Sequence, residues 1–179
     1  MTNEYMVDDQ RFAGRRPDVL TYQTAVLTED MTLAGTLDVD LWVTTTGTDA
    51  DFIVKLIDVY PDGTDPALRP SAQMLIRGEI MRGKFRNSFE NPEPFTPGKI
   101  SEVKFELPDV AHTFKKGHKI MVQVQSSWFP LADRNPQKFI DIYKADDKDF
   151  QKAAIRIYHD GTNNSKIIYM ELAVHNSKG

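Results

Sequence analysis

What most constrains this chain is the period of its apolar residues, which recur at every second position rather than along the i, i+3, i+4, i+7 stripe of a helix. Leu37, Val39, Leu41 and Val43 alternate with Asp38, Asp40, Trp42 and Thr44, and a period of two sends the two sets to opposite faces of a strand. Residues 52–60 are apolar on both faces, with Phe52, Val54 and Leu56 on one and Ile53, Ile57 and Val59 on the other. That strand is expected to run through the middle of a sheet. Six further runs, at residues 20–26, 71–82, 100–107, 118–127, 153–158 and 167–174, bring the expected count to eight. Val103, Phe105 and Leu107 oppose Glu102, Lys104 and Glu106, and Ile120, Val122 and Val124 oppose Met121, Gln123 and Gln125. One dry face and one wet face mark antiparallel sheets.

Turn chemistry separates the runs. Pro61-Asp62-Gly63, Glu93 to Gly98, Lys115-Lys116-Gly117 and Asp160 to Asn163 each combine a residue of fixed or permissive φ with a side chain that can bond its own backbone. Gly117, which closes its turn just before the most regular strand, is expected to need a positive φ. Helix is expected to be sparse, with a short one over residues 145–152 and a single turn around Val110 to Phe114. Many strands without alternating helices predict an all-β, mostly antiparallel jelly-roll β-sandwich. One such domain is expected over residues 19–175. An arm, residues 1–18, lacks strand alternation and is expected to lie across a surface.

Charge and cysteine content narrow the chemistry. With 22 Lys+Arg against 26 Asp+Glu the formal charge is −4, which gives no pull toward nucleic acid or an anionic membrane. Neither is expected as a partner. No apolar run approaches the roughly 18 residues of a membrane span, and the first residues show no basic or apolar leader, so a soluble chain is expected. The compartment stays open. The absence of cysteine removes disulfides, thiolate catalysis and cysteine-ligated metals.

The remaining chemistry is also thin. None of the seven serines, at 71, 88, 101, 126, 127, 165 and 177, has glycine two residues before it, as a G-x-S-x-G nucleophile elbow requires. No His-Glu-x-x-His occurs among the four histidines, and His112, His118, His159 and His175 read as structural or solvated. Gly78 to Phe85 matches most of a phosphate loop, but Phe85 stands where Ser or Thr binds magnesium. Asp49/Asp51 and Asp146/Asp147/Asp149 lack the spacing of a calcium loop and read as solvated turns. No catalytic residue, cofactor or metal is expected.

The most unusual stretch is Ser126 to Pro136, where Trp128 and Phe129 stand beside Pro130 at the end of a strand. Such aromatics mark interfaces or carbohydrate platforms, or a loop folded back on its own core.

Several motifs together resemble a known family. They are Asp9 to Tyr22 (DQRFAGRRPDVLTY), Leu27-Thr28-Glu29-Asp30, Ala34-Gly35, Asp51-Phe52, Lys55 to Gly63 (KLIDVYPDG), Arg77-Gly78-Glu79, Arg82 to Arg86, Pro97-Gly98-Lys99, and above all Gly117 to Pro130 (GHKIMVQVQSSWFP) with Arg134-Asn135-Pro136. Spanning residues 8–174, this pattern resembles the C-terminal domain of the X-Pro dipeptidyl-peptidase and cocaine esterase group of serine hydrolases, which includes α-amino-acid ester hydrolases and glutaryl-cephalosporin acylases.

The resemblance implies a galactose-binding-domain-like jelly roll that follows an α/β-hydrolase domain carrying a Ser-Asp-His triad. That catalytic domain has no counterpart here, so the chain alone is expected to be inactive toward esters and X-Pro amides. Its implied partner is the α/β-hydrolase catalytic domain, with a homo-oligomer as a further possibility. A free-standing binding module, for example for carbohydrate, is the alternative. The arm and the loop are expected to form the domain interface, with Arg11, Arg15 and Arg16 from the first and Trp128, Phe129, Asp133, Arg134 and Asn135 from the second.

Overall fold

β-Branched and aromatic side chains fit a pleated, half-buried surface, and the runs that hold them become the strands. The computed structural model describes residues 8–63 and 70–172. Among these it has ten strands: β1 (Val19–Gln23), β2 (Met31–Thr45), β3 (Asp51–Val59), β4 (Gln73–Arg82), β5 (Ser101–Phe114), β6 (Lys119–Gln125), β7 (Ile155–Asp160), β8 (Asn163–Asn164), β9 (Lys166–Ile168) and β10 (Glu171–Leu172). All pairings are antiparallel. The first sheet runs β1-β6-β3-β4. In the second, the long β2 pairs with β5 along one edge and with β10, β9 and β7 along the other, while β8 pairs with β7. The expected jelly-roll β-sandwich is the fold found.

The inward set of β2, Leu37, Val39, Leu41 and Val43, joins Phe52, Val54 and Leu56 of β3 in one buried cluster, with Val103, Leu107 and Phe114 of β5 and Val124 of β6. Each such side chain contributes about 1.5–3 kcal/mol by leaving water. β3 lies between β6 and β4 and all nine of its residues are buried. Its doubly apolar pattern correctly placed it at the centre.

Three expectations need correction. Residues 145–152 form no α-helix; the segment makes one tight 3₁₀ turn at Asp147–Asp149, just after another at Ile142–Lys144. An eight-residue stretch without an apolar stripe cannot recover the cost of helix nucleation, and Asp149 folds back onto the Asp146 backbone N–H at 3.1 Å instead. Val110 to Phe114 is not a helical turn but the end of β5, beyond a bulge in which Pro108 and Asp109 oppose Thr36 alone. A bulge is where a strand tolerates proline. The last expected strand is broken into β9 and β10, and its residues 173 and 174, with His175, lie outside the described residues.

At one end of the sandwich the inward Asp58 of β3 bonds two histidines, His118 Nδ1 at 2.8 Å and His112 Nε2 at 2.9 Å. His112 sits on the facing sheet, so this contact ties the layers together. The turn that delivers His118 depends on Gly117, whose φ is +90° and whose N–H donates to Leu27 C=O at 2.9 Å. A Cβ there would meet nothing nearer than Pro61 Cγ at 3.8 Å, so the constraint is backbone conformation rather than space. Gly117→Val is expected to lose about 1–3 kcal/mol of stability, read as a lower urea midpoint at unchanged slope.

Candidate interface on the outer face of the first sheet

The outward face of the first sheet is built from Ile53, Lys55 and Ile57 of β3 and Met121, Gln123 and Gln125 of β6. These residues are buried although they turn away from the sandwich core. Two segments cover them. The arm crosses as a 3₁₀ turn, Gln10–Phe12, started by the Asp9 carboxylate accepting from Arg11 N–H at 3.1 Å. The loop after β6 brings Trp128 down onto Lys55 and Gly78. A Cβ on Gly78 would lie 3.0 Å from the indole, so the absence of a side chain there makes the seat for the ring.

Lys55 is the unusual member of this layer. It is fully buried (0% exposed), donates from Nζ to Gln10 Oε1 at 2.9 Å, and lies 4.1 Å from the Trp128 ring centroid and 5.7 Å from that of Phe12. Burial, helped by the positive charge of Arg16, lowers its pKa to about 8, while the π-face of Trp128 favours the cation. The unfolded chain holds this proton up to the ordinary lysine range, so the contribution to stability rises with pH between about 8 and 10.5. Replacing a buried charge by an apolar side chain of similar volume is often neutral or stabilising, by up to about 1–4 kcal/mol. Lys55→Met is therefore expected to fold at least as stably as the parent at pH 7. It should also lose the rise between pH 8 and 10.5 in urea titrations.

The eight anticipated interface residues have different surroundings in the structure. Arg11 pairs with Asp9 and donates to Pro70 C=O at 2.7 Å; Arg16 donates to Asp18 and to Ser127 C=O at 3.2 Å, which ties arm to loop. Arg15 is exposed. Trp128 is 5% exposed, and its place as an outward anchor is corrected: the ring fills the gap over Lys55. Its neighbour Phe129 is 53% exposed, with the Arg134 guanidinium between it and Phe150, 5.8 and 5.4 Å from the ring centroids. Asp133 is exposed and accepts at its C=O from Arg82 Nη2 at 3.2 Å. Asn135 is buried and donates to Asp51 Oδ1 at 2.7 Å.

Asp51 and its neighbour Asp49 overturn a further expectation, for they are not solvated turn residues. Both are buried at the start of β3. Asp49 Oδ1 accepts from the backbone N–H of Ala50 and Lys84 at 2.9 and 3.1 Å, and Asp51 Oδ2 stands 3.3 Å from Arg82 Nη1. Burial raises the pKa of both, that of Asp51 to about 6. Sequence reasoning missed this pair and Lys55 alike, yet Lys55 carried a signal: it occupies the middle of the apolar set Ile53, Ile57, Val59. Among the described residues no group of three or more His, Asp or Glu is placed to hold a metal ion.

Comparison with known proteins gives this geometry a family. The cocaine esterase of Rhodococcus sp. (strain MB1 Bresler) is 41% identical over 127 residues, covering 71% of this chain but 21% of its own. Among solved structures, an aminopeptidase from a marine sediment Thaumarchaeota archaeon superposes with a TM-score of 0.90 at 42% identity, covering 95% of this chain and 28% of its own. An α-amino acid ester hydrolase does so with a TM-score of 0.89 at 44% identity, covering 94% and 28%. The chain thus spans less than a third of each of these relatives. With the family model for the X-Pro dipeptidyl-peptidase C-terminal non-catalytic domain matching residues 4–168, this chain belongs to that family.

Proposed function

We propose that this domain is a non-catalytic accessory module that packs against an α/β-hydrolase portion through the arm and the loop after β6, helping to shape its cleft. The observation that carries the reading is the joining of these two segments into one layer, which leaves Phe129, Arg15 and Arg134 facing outward from a rigid support. Aromatic residues and arginine are enriched in interfaces, and a few buried aromatic anchors supply most of the binding energy. Spanning 28% of two close structural relatives accords with a module that works beside a larger chain.

The test uses this chain and the α-amino acid ester hydrolase relative truncated before the segment it matches. Sedimentation velocity should show a 1:1 complex, and Phe129→Ala should weaken it at least tenfold while leaving the thermal transition of the free chain in place. Absence of a complex, or indifference to Phe129, would refute this assignment. Binding to a glycan array in place of the hydrolase portion would favour a free-standing carbohydrate module.

A further inference from the structure

The two long sides of the sandwich differ. On one side the layers are tied by Arg77 of β4, whose Nε donates to the C=O of Asp109 in β5. On the other side, between β1 and β7, an open groove of 380 Å³ reaches inward to the core residues Phe52 and Val124, with Leu20, Ile155 and Ile157 as its walls. The edge-on contact of the Tyr22 and His159 rings, 6.3 Å between centroids, lies at these same two strands.

β1 is also an unprotected edge. Among the described residues it pairs with β6 alone. The bonds from Ser126 N–H to Asp18 C=O and from Thr24 N–H to Ile120 C=O set the phase of the ladder. Bonded positions alternate along an antiparallel pair, so residues 18, 20, 22 and 24 turn their backbone groups to β6. Thr21 and Gln23 turn theirs outward, as does the Val19 C=O, while the Val19 N–H donates to Arg16 C=O at 3.3 Å. Natural proteins blunt such an edge with lysine, proline, a bulge or a covering segment. The sequence Val-Leu-Thr-Tyr-Gln has none of the first two and its register is unbroken, while Leu20 remains 44% exposed.

We propose that this groove receives an extended, uncharged segment of the hydrolase portion, added as a fifth strand beside β1 and seating aliphatic side chains between Leu20 and Ile157. The inference rests on the accessory-module reading above. Three observations select the occupant. The free backbone groups call for a strand. The groove walls are mostly apolar, Gln125 and Ser126 are its uncharged polar members, and its two carboxylates, Asp18 and Asp51, are already paired with Arg16 and Arg82, so a charged segment would be desolvated without a partner. Finally, the family is a C-terminal domain, so the rest of a relative's chain comes before the arm, and the arm enters the sandwich at β1 itself.

The experiment again mixes this chain with the truncated α-amino acid ester hydrolase relative. Hydrogen exchange of the Thr21 and Gln23 amides should slow at least tenfold in the complex. Thr21→Pro deletes an outward N–H that the β6 ladder does not use, and Leu20→Glu puts a charge at the groove wall; each should weaken binding at least tenfold. Variants are accepted when their thermal transition matches the parent. If binding resists both changes and the two amides keep their free exchange while Phe129→Ala still weakens the complex, the groove assignment falls and the accessory-module reading stands. If the parent chain forms no complex, both fall together. Protection of the two amides in the chain alone, rising with its concentration, would show a second copy as the occupant and overturn the proposal.

Discussion

Trp128→Ala should lower the stability of the isolated chain by about 3–5 kcal/mol, the range for removing a large aromatic from a packed interior. The indole covers Lys55 and sits on Gly78, with β3 beneath and the arm beside it. Its loss opens a cavity over a buried ammonium, and water or a collapsed arm would have to fill it. The indole Nε1 has no hydrogen-bond partner in its buried position, so the loss comes from packing and from the ring face over the cation rather than from a broken hydrogen bond. Trp128→Phe keeps an aromatic face and deletes the unsatisfied N–H; it should cost less than about 1.5 kcal/mol, as near-conservative core exchanges do. Urea midpoints at constant slope measure both. A loss below about 1 kcal/mol for the alanine variant would mean that the loop lifts off in solution and that Trp128 is free to act as an outward anchor after all. Phe129→Ala, one residue on, should change stability by no more than about 0.5 kcal/mol because its ring is largely solvated.

Adjacent aromatics with opposite fates show where sequence reading stops. Period-two alternation located β2, β3, β5 and β6 because each strand has its own dry face, and that is a local property of the chain. Whether an outward face is wet depends on what the rest of the chain lays across it. Gln123 and Gln125 read as the solvent side of β6, yet the arm and the loop bury them, and contacts made across more than a hundred residues leave no periodic trace. The two buried charges were lost for related reasons. Lys55 was passed over within an apolar set, and Asp51 stood in a turn-like Asp-Ala-Asp context while its partners Arg82 and Asn135 lay far along the chain. Gly117 was legible because its requirement is local: a short turn whose backbone must reverse at one residue.

Asp51 is the second place where a large effect is expected, and it should appear as a pH dependence. Burial outweighs the favourable pull of Arg82 and the Asn135 hydrogen bond and raises its pKa from 3.8 to about 6. The folded chain therefore binds this proton more tightly than the unfolded chain does. The resulting stabilisation is complete below about pH 4 and is lost as pH rises through about 6, a swing of about 3 kcal/mol from this carboxyl alone. Carboxylates such as Asp9 and Asp30, held below their ordinary value, act in the opposite direction, so the total stability curve conceals the effect. Subtracting the unfolding free energy of Asp51→Asn from that of the parent at each pH isolates it. The difference should fall between pH 4 and 6 and be level from 7 to 8; a difference that is flat from pH 4 to 6, or that rises there, would show that Asp51 titrates as a solvated carboxyl. The same titration reaches the proposed interface. Asp51 holds Asn135, and Arg82, its partner in the ladder and in the ion pair, holds the Asp133 carbonyl. Neutralising Asp51 releases Arg82 from its counter-charge, so the loop bearing Phe129 and Arg134 should show faster amide exchange at Asp133 to Gln137 at pH 5 than at pH 7, after correction for the intrinsic rate. Unchanged protection of those amides would confine the titration to the buried end of β3.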